Sequence, residues 1–205
     1  MIAIIDYGMG NLRSVEKAFE SLGAFCSVIS APSSLEEFKG VVLPGVGAFG
    51  EAMVNLERDG WPNRIREFTS AGRPLLGICL GAQLLFEFSE EGDQHQGLAL
   101  FPGRVVRFPD SVRVPHMGWN QLRLIGKSSL LKGVGDGDFA YFVHSYYIEP
   151  GNPAVVAAST DYGVDFASAV GRGNIFGLQF HPEKSQAVGL QILRNFLEII
   201  NDKGR

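Results

Sequence analysis

Cys79 stands between two glycines in GICLGAQ, residues 77–83, directly after the apolar run Pro74 to Ile78. Strand, Gly-x-Cys-x-Gly and then helix is the pattern of a nucleophile elbow with cysteine in place of serine. Glycines flank the nucleophile there because the strained turn leaves little room for neighbouring side chains. A helix N-terminus beside the sulfur favours the thiolate, and its free N–H groups can hold an oxyanion, that of Leu80 first. The competing reading is a small buried hydrophobe, since a free cysteine at the end of an apolar strand commonly only packs. Taken alone, the stretch permits both.

A nucleophilic thiol needs a base, and the base needs a group that orients it. Of the four histidines, His95 lies in the polar stretch GDQHQG and is expected to be exposed, while His116 and His144 adjoin apolar or aromatic segments and read as satisfied structural histidines. His181, in LQFHPE, follows the end of a strand candidate. Active sites of open parallel sheets form at that edge, where Cys79 also emerges. Pro182 biases His181 towards extended backbone. Alternation along extended chain then brings Glu183 to the same side, where a carboxylate can hold the imidazole tautomer and stabilise the imidazolium. A His-Pro-Glu turn can be only a turn, but beside a cysteine elbow it completes a Cys79–His181–Glu183 triad.

These residues need strands to position them, and the first half of the chain supplies them. IAIID (Ile2 to Asp6), FCSVI (Phe25 to Ile29), GVVLPG (Gly40 to Gly45) and PLLGI (Pro74 to Ile78) read as strands. Leu12, Val15, Phe19 and Leu22 share one helical stripe, and helices are expected around Glu51 to Leu56, Trp61 to Thr69 and in GAQLLFEFS after Cys79. From about residue 97, GRVVRF, AYFVHSYYI, AVVAAS and FASAV are short β-like pieces between turns. NIFGLQF is a last core strand, and AVGLQILRNFLEII a closing amphipathic helix with Leu190, Leu193, Phe196, Leu197 and Ile200 on one stripe. The expected fold class is α/β: a mainly parallel central sheet with helices on both faces, plus a smaller antiparallel sheet, in a single domain over residues 1–205.

The bulk properties point to small molecules or another protein as partners. A chain of 205 residues can bury a large core without staples, and two cysteines make no disulfide framework. The net charge of −4 comes from acidic and basic residues mixed along the chain, so neither nucleic acid nor a membrane surface is an expected partner. No apolar run nears the roughly 20 residues of a membrane span, and no leader is evident, so a cytoplasmic location is expected. DYGMGNL has two glycines and no acidic residue closing the next strand, which argues against a nicotinamide cofactor. No cluster has metal-ligand spacing; neither metal nor other cofactor is expected.

PGVGAFG, GICLGAQ and FHPEKS, in this order and spacing, resemble the class I, triad-type glutamine amidotransferases. DYGMGNLRSVEKAF, PHMGWN and YFVHSYY narrow the likeness, over the whole chain, to the glutaminase subunits of imidazole glycerol phosphate synthases. The resemblance implies that Cys79 attacks the side-chain amide of L-glutamine, with His181 as acid and base and Glu183 as its orienter. It implies that Gly45, Val46 and Gly47 give the second oxyanion donor, that Gln83 holds substrate, and that Ser145 and Tyr146 contact it through backbone. It also implies a (β/α)₈-barrel cyclase partner that uses the ammonia to make imidazole glycerol phosphate and AICAR, met by Tyr7, Met9 and Asn11 on the first turn. Met117 and Trp119, in an expected loop, read as further interface residues or else as core. Gln83 has the alternative of a buried side chain tying its helix to a loop. Other amidotransferase subunits (pyridoxal phosphate, anthranilate or GMP synthase), a stand-alone cysteine hydrolase and a non-catalytic module are the alternative functions.

Overall fold

Every residue of β1 (Ile2–Ile5) is buried, because this strand lies inside a sheet covered on both faces. The computed structural model describes residues 1–202. After β1 come α1 (Leu12–Ser21), β2 (Cys26–Ile29), β3 (Gly40–Gly45), α2 (Phe49–Arg58), α3 (Trp61–Ser70) and β4 (Leu75–Cys79). A single turn, α4 (Leu80–Gln83), leads to β5 (Phe88–Ser89), β6 (His95–Gln96), β7 (Gly103–Arg107), β8 (His116–Gln121) and β9 (Arg123–Leu124). The chain continues with β10 (Phe139–His144), β11 (Tyr146–Pro150), β12 (Val156–Asp161), β13 (Asp165–Arg172), β14 (Ile175–Leu178) and α5 (Gln186–Asp202).

The order β2-β1-β3-β4-β14 is parallel throughout and forms one half of a 12-stranded sheet, which β13, β11, β7, β5 and β6 extend, mostly antiparallel. Alternation divides the core. Ala3, Ile5, Val41 and Leu43 pack under α2 and α3 with Phe49, Leu56, Trp61 and Phe68, while Ile2, Ile4, Val42 and Leu76 pack under α1 and α5 with Phe19, Ile192, Phe196 and Ile200. On α5 the expected stripe is buried at Leu193, Phe196 and Ile200 and half-buried at Leu190 and Leu197. Separately, β8 and β10 form a two-stranded antiparallel sheet. No described helix is long and apolar enough to cross a membrane.

Three elements differ from their sequence expectations. GAQLLFEFS forms one helical turn, because the carbonyls of Leu84, Leu85, Phe86 and Glu87 accept from the N–H groups of residues 97–101 and have no helix to continue. The helix dipole expected beside Cys79 therefore shrinks to the free N–H groups of one turn. AYFVHSYYI breaks at Ser145, where the chain leaves the small sheet for the large one. PHMGWN is a strand and not a loop: alternation buries His116 and turns Met117 and Trp119 outwards, 62% and 46% exposed, so neither is core.

The glycines around Cys79 permit close backbone approach. A Cβ on Gly81 would lie 1.7 Å from the Leu43 carbonyl oxygen, and one on Gly77 2.7 Å from that of Gly81. Both obstacles are backbone, which cannot step aside. Gly81→Ala is expected to cost about 3 kcal/mol or more of stability, at the upper end of overpacking effects, read as the free energy of unfolding in denaturant. A cost below about 1 kcal/mol would mean that α4 can shift away from β3.

Candidate active site

β3, β4 and β14 end side by side, with Gly45 level with Cys79 and Leu178 level with Ile78. Cys79 itself has φ 54° and ψ −111°, a conformation that side chains other than glycine rarely adopt. The strain turns the chain sharply from β4 into α4 and presents Sγ at the sheet edge, 3.9 Å from the Val143 carbonyl oxygen. Two residues past the level of Cys79 on the neighbouring strand, His181 is extended (φ −97°, ψ 98°), as a residue before proline should be.

Glu183 reaches His181 by a route different from the expected one. Pro182–Lys184 is a 3₁₀ turn, and it is this turn that carries the carboxylate Oε1 to 2.8 Å from the imidazole Nδ1. Both side chains are almost fully buried, at 2% and 1% exposure. The Ser185 hydroxyl donates to the His181 carbonyl at 2.7 Å, and the His181 N–H donates to the Tyr141 carbonyl at 2.9 Å, so the backbone of the base is pinned on two sides. Burial works against charge on His181, but the proximity of Cys79 and the hydrogen bond and negative charge of Glu183 outweigh it and raise the imidazolium to about pKa 9. Nε2, the nitrogen not held by Glu183, has no hydrogen-bond partner. Of five buried side-chain atoms left unpaired among the described residues, three (His181 Nε2, Glu183 Oε2 and Gln179 Nε2) belong to this site. Such concentration of unmet hydrogen bonding is the mark of a functional site and not of a packed core.

Beside the sulfur opens a cleft of about 370 Å³, lined by Val46, Gly47, Cys79, Leu80, Gln83, Ser145 and Tyr146. Seven residues picked out in the sequence thus converge on one space. Gly45 does not line it. A Cβ there would sit 2.3 Å from the Tyr7 hydroxyl, which donates to the Pro44 carbonyl at 2.9 Å, so Gly45 clears room beneath the loop. Tyr7, expected at the partner face, is buried, and its phenol is pushed up by burial and by the charge of Cys79. Met9 is half-buried, its methyl group resting on Gly47, and Asn11 is exposed. Gln83 is buried and its two N–H groups are both used, on the Tyr146 carbonyl at 2.8 Å and Gln179 Oε1 at 3.1 Å. It is the buried tie of the alternative reading, though to a strand and not to a loop, and only its carbonyl oxygen remains for a ligand.

The cleft also contains Glu91, Pro115, Val143 and His144, which sequence reasoning did not assign to it. Pro115, Val143 and His144 belong to stretches already singled out, PHMGWN and YFVHSYY. Glu91 is different: its carboxylate accepts from the Phe49 N–H at 2.8 Å, capping α2 immediately after the PGVGA loop. An acidic pair before a glycine turn is its only signal in the sequence. His95 is half-buried rather than exposed, its ring packed against Gly50 at the start of the same helix. No group of three or more His, Cys, Asp or Glu among the described residues is placed to hold a metal ion.

A strained cysteine, a buried His–Glu pair and backbone N–H groups around one cleft can perform acyl transfer through a thioester. Comparison with known proteins points the same way. The family model "Glutamine amidotransferase class-I" matches residues 3–200. "Imidazole glycerol phosphate synthase subunit HisH" of Moorella thermoacetica is 54% identical, covering 99% of this chain and 97% of its own. The protein of the same description from Desulfitobacterium hafniense is 52% identical, with 98% and 96% covered. A solved structure described as a glutamine amidotransferase superposes with a TM-score of 0.78 at 21% identity, over 98% of this chain and all of the other, a likeness of fold.

Proposed function

The chain belongs to the class I glutamine amidotransferase family, and on that premise we propose how its residues release ammonia from L-glutamine. It works as the glutaminase subunit of an imidazole glycerol phosphate synthase, in histidine biosynthesis. The observation that carries the residue-level reading is the pairing of Cys79 on its strained elbow with His181, whose Nδ1 is fixed by Glu183 while Nε2 is left free.

Cys79 Sγ attacks the glutamine side-chain carbonyl carbon, and the oxygen becomes an oxyanion held by the Leu80 N–H and the Val46–Gly47 backbone. His181 holds the proton at Nε2 and passes it to the departing nitrogen, so ammonia leaves and a γ-glutamyl thioester remains. Water then attacks the thioester, its proton going to His181, and glutamate departs as the thiol is restored. Glu183 stabilises the imidazolium and stays ionised. At the other end of the substrate, Glu91 and the free carbonyl oxygen of Gln83 are acceptors for the α-ammonium group, with Ser145 and Tyr146 offering backbone groups.

The ammonia user is a (β/α)₈-barrel cyclase subunit. The outer face of the small sheet, with Met117, Trp119, Phe139, Tyr141 and Val143 on alternate positions, is the surface that suits it. Val143 joins that face to the cleft, so ammonia released at Cys79 has a short path to the partner. Met9 and Asn11 extend the surface towards the oxyanion loop.

Glutamine hydrolysis is expected to be low in the isolated chain and to rise by about two or more orders of magnitude with ligand-bound cyclase, because a single oxyanion donor is worth about 10²–10³. Steady-state glutamate production with and without cyclase measures this. High, ligand-independent turnover in the isolated chain would instead indicate a stand-alone hydrolase.

A further inference from the structure

Two histidines that the triad does not use lie end to end beside the cleft. His116 Nδ1 is 3.0 Å from His144 Nε2, and His144 Nδ1 is 2.8 Å from the Tyr146 carbonyl oxygen. At the far end, the Asn120 amide N–H is 3.2 Å from His116 Nε2 and also donates to the Asp161 carbonyl at 2.9 Å. Its orientation is set independently, since the Gln121 N–H donates to Asn120 Oδ1 at 2.8 Å. The pair is buried within an aromatic box: Tyr162 and Phe142 stack on His116, and Phe108 and Phe166 close the edges.

The bonding admits one direction. A carbonyl oxygen can only accept, so His144 must carry its proton on Nδ1. Burial lowers both imidazoles, His116 to about 4 and His144 to about 3, so both are neutral near pH 7. A neutral His144 then accepts at Nε2, which requires the proton of His116 on Nδ1, and His116 Nε2 accepts from Asn120. Each imidazole nitrogen of the pair has one partner, and the last donor, His144 Nδ1–H, ends on the same carbonyl that receives Gln83 Nε2.

We infer that His116 is a positioning residue for glutamine binding: through His144 it fixes the Ser145–Tyr146 turn, and with it Gln83, in the geometry that receives the amino-acid end of the substrate. The inference rests on the glutaminase reading. Two of the three stretches that distinguish this chain's branch of the family, PHMGWN and YFVHSYY, supply the two imidazoles. Their spacing follows from register, because His116 and His144 face each other across β8 and β10.

Two measurements test it, both on the cyclase-bound complex. Nitrogen-15 NMR of the histidine rings is expected to show His116 and His144 as neutral Nδ1–H tautomers at pH 7. Detection of either as Nε2–H or as imidazolium would overturn the inference, whatever any variant does. In kinetics, His116→Leu leaves His144 Nε2 without a donor and is expected to raise KM for glutamine about tenfold, with kcat changed less than about threefold. His116→Asn keeps a donor at the δ position and is expected to recover most of that loss. A packing role alone would lower the melting temperature and the fraction of titratable Cys79 without moving KM, and an unchanged KM in folded His116→Leu would overturn the inference. Wild-type complex that failed to hydrolyse glutamine would refute the glutaminase reading instead.

Discussion

Cys79→Ala is expected to lower glutamine hydrolysis by the cyclase complex about 10⁵–10⁶-fold, the scale on which loss of the nucleophile disables a catalytic triad. The variant should fold normally, because alanine fits the space of the thiol and inherits the same backbone strain. Binding of glutamine should survive, since Gln83, Glu91 and the Ser145–Tyr146 turn are untouched. Measurement of hydrolysis and of glutamine affinity on one sample separates the two. Labelling with a chloroketone analogue of glutamine provides an internal control. The other cysteine, Cys26, is half-buried, and burial together with the charges of Glu16 and Glu20 pushes its thiol up to about 11. The label should reside on Cys79 in wild type and disappear in the variant. Retention of more than about one hundredth of the activity would exclude Cys79 as the nucleophile.

Glu183→Gln is expected to have the next largest effect, a loss of about 10²–10⁴ in kcat, in the range of general acid–base contributions. Glutamine preserves the shape and an acceptor oxygen 2.8 Å from Nδ1, yet it removes the negative charge that helps hold His181 at about pKa 9. In wild type, activity should fall as pH rises through about 9, where His181 loses the proton owed to the departing nitrogen. In the variant that alkaline limb should move to lower pH. The same group links stability to pH. Its folded pKa lies above the unfolded value of 6.5, so its contribution is complete below that value and is lost as pH rises through about 9. The melting temperature of wild type should therefore drop more between pH 6.5 and 9 than that of Glu183→Gln. Superimposable pH profiles would show that Glu183 does not tune the imidazole.

The parallel half of the fold was readable because its strands are short apolar runs and its helices carry one apolar stripe. Gly40–Gly45, for example, is a strand with the bounds its sequence suggests. Cys79, His181 and Glu183 were singled out for a related reason: they lie at strand ends, and strand ends mark the sheet edge. What escaped depends on contacts between distant parts of the chain. The apolar periodicity of GAQLLFEFS is genuine, but its carbonyls are claimed by residues 97–101. PHMGWN reads as a loop, yet six-residue pairing with β10 makes HMGWNQ a strand. Tyr7 follows a strand like an exposed turn residue, yet it packs in the core and bonds Pro44, 37 positions away. Glu91 came within reach of the cleft through the cap it places on Phe49.

The sheet order also sets when this protein becomes an enzyme during its synthesis. Cys79 is made early, on β4, but the strand that completes its surroundings, β14, lies next to it in space and about a hundred residues later in sequence. At ordinary elongation rates that interval lasts about 5–20 s. Throughout it the nascent chain carries Cys79 without His181, without Glu183 and without β14. The central strand arrives nearly last, and with it, a few residues on, His181 and Glu183. On the triad reading proposed above, a chain that ends before β14 lacks its base and hydrolyses no glutamine.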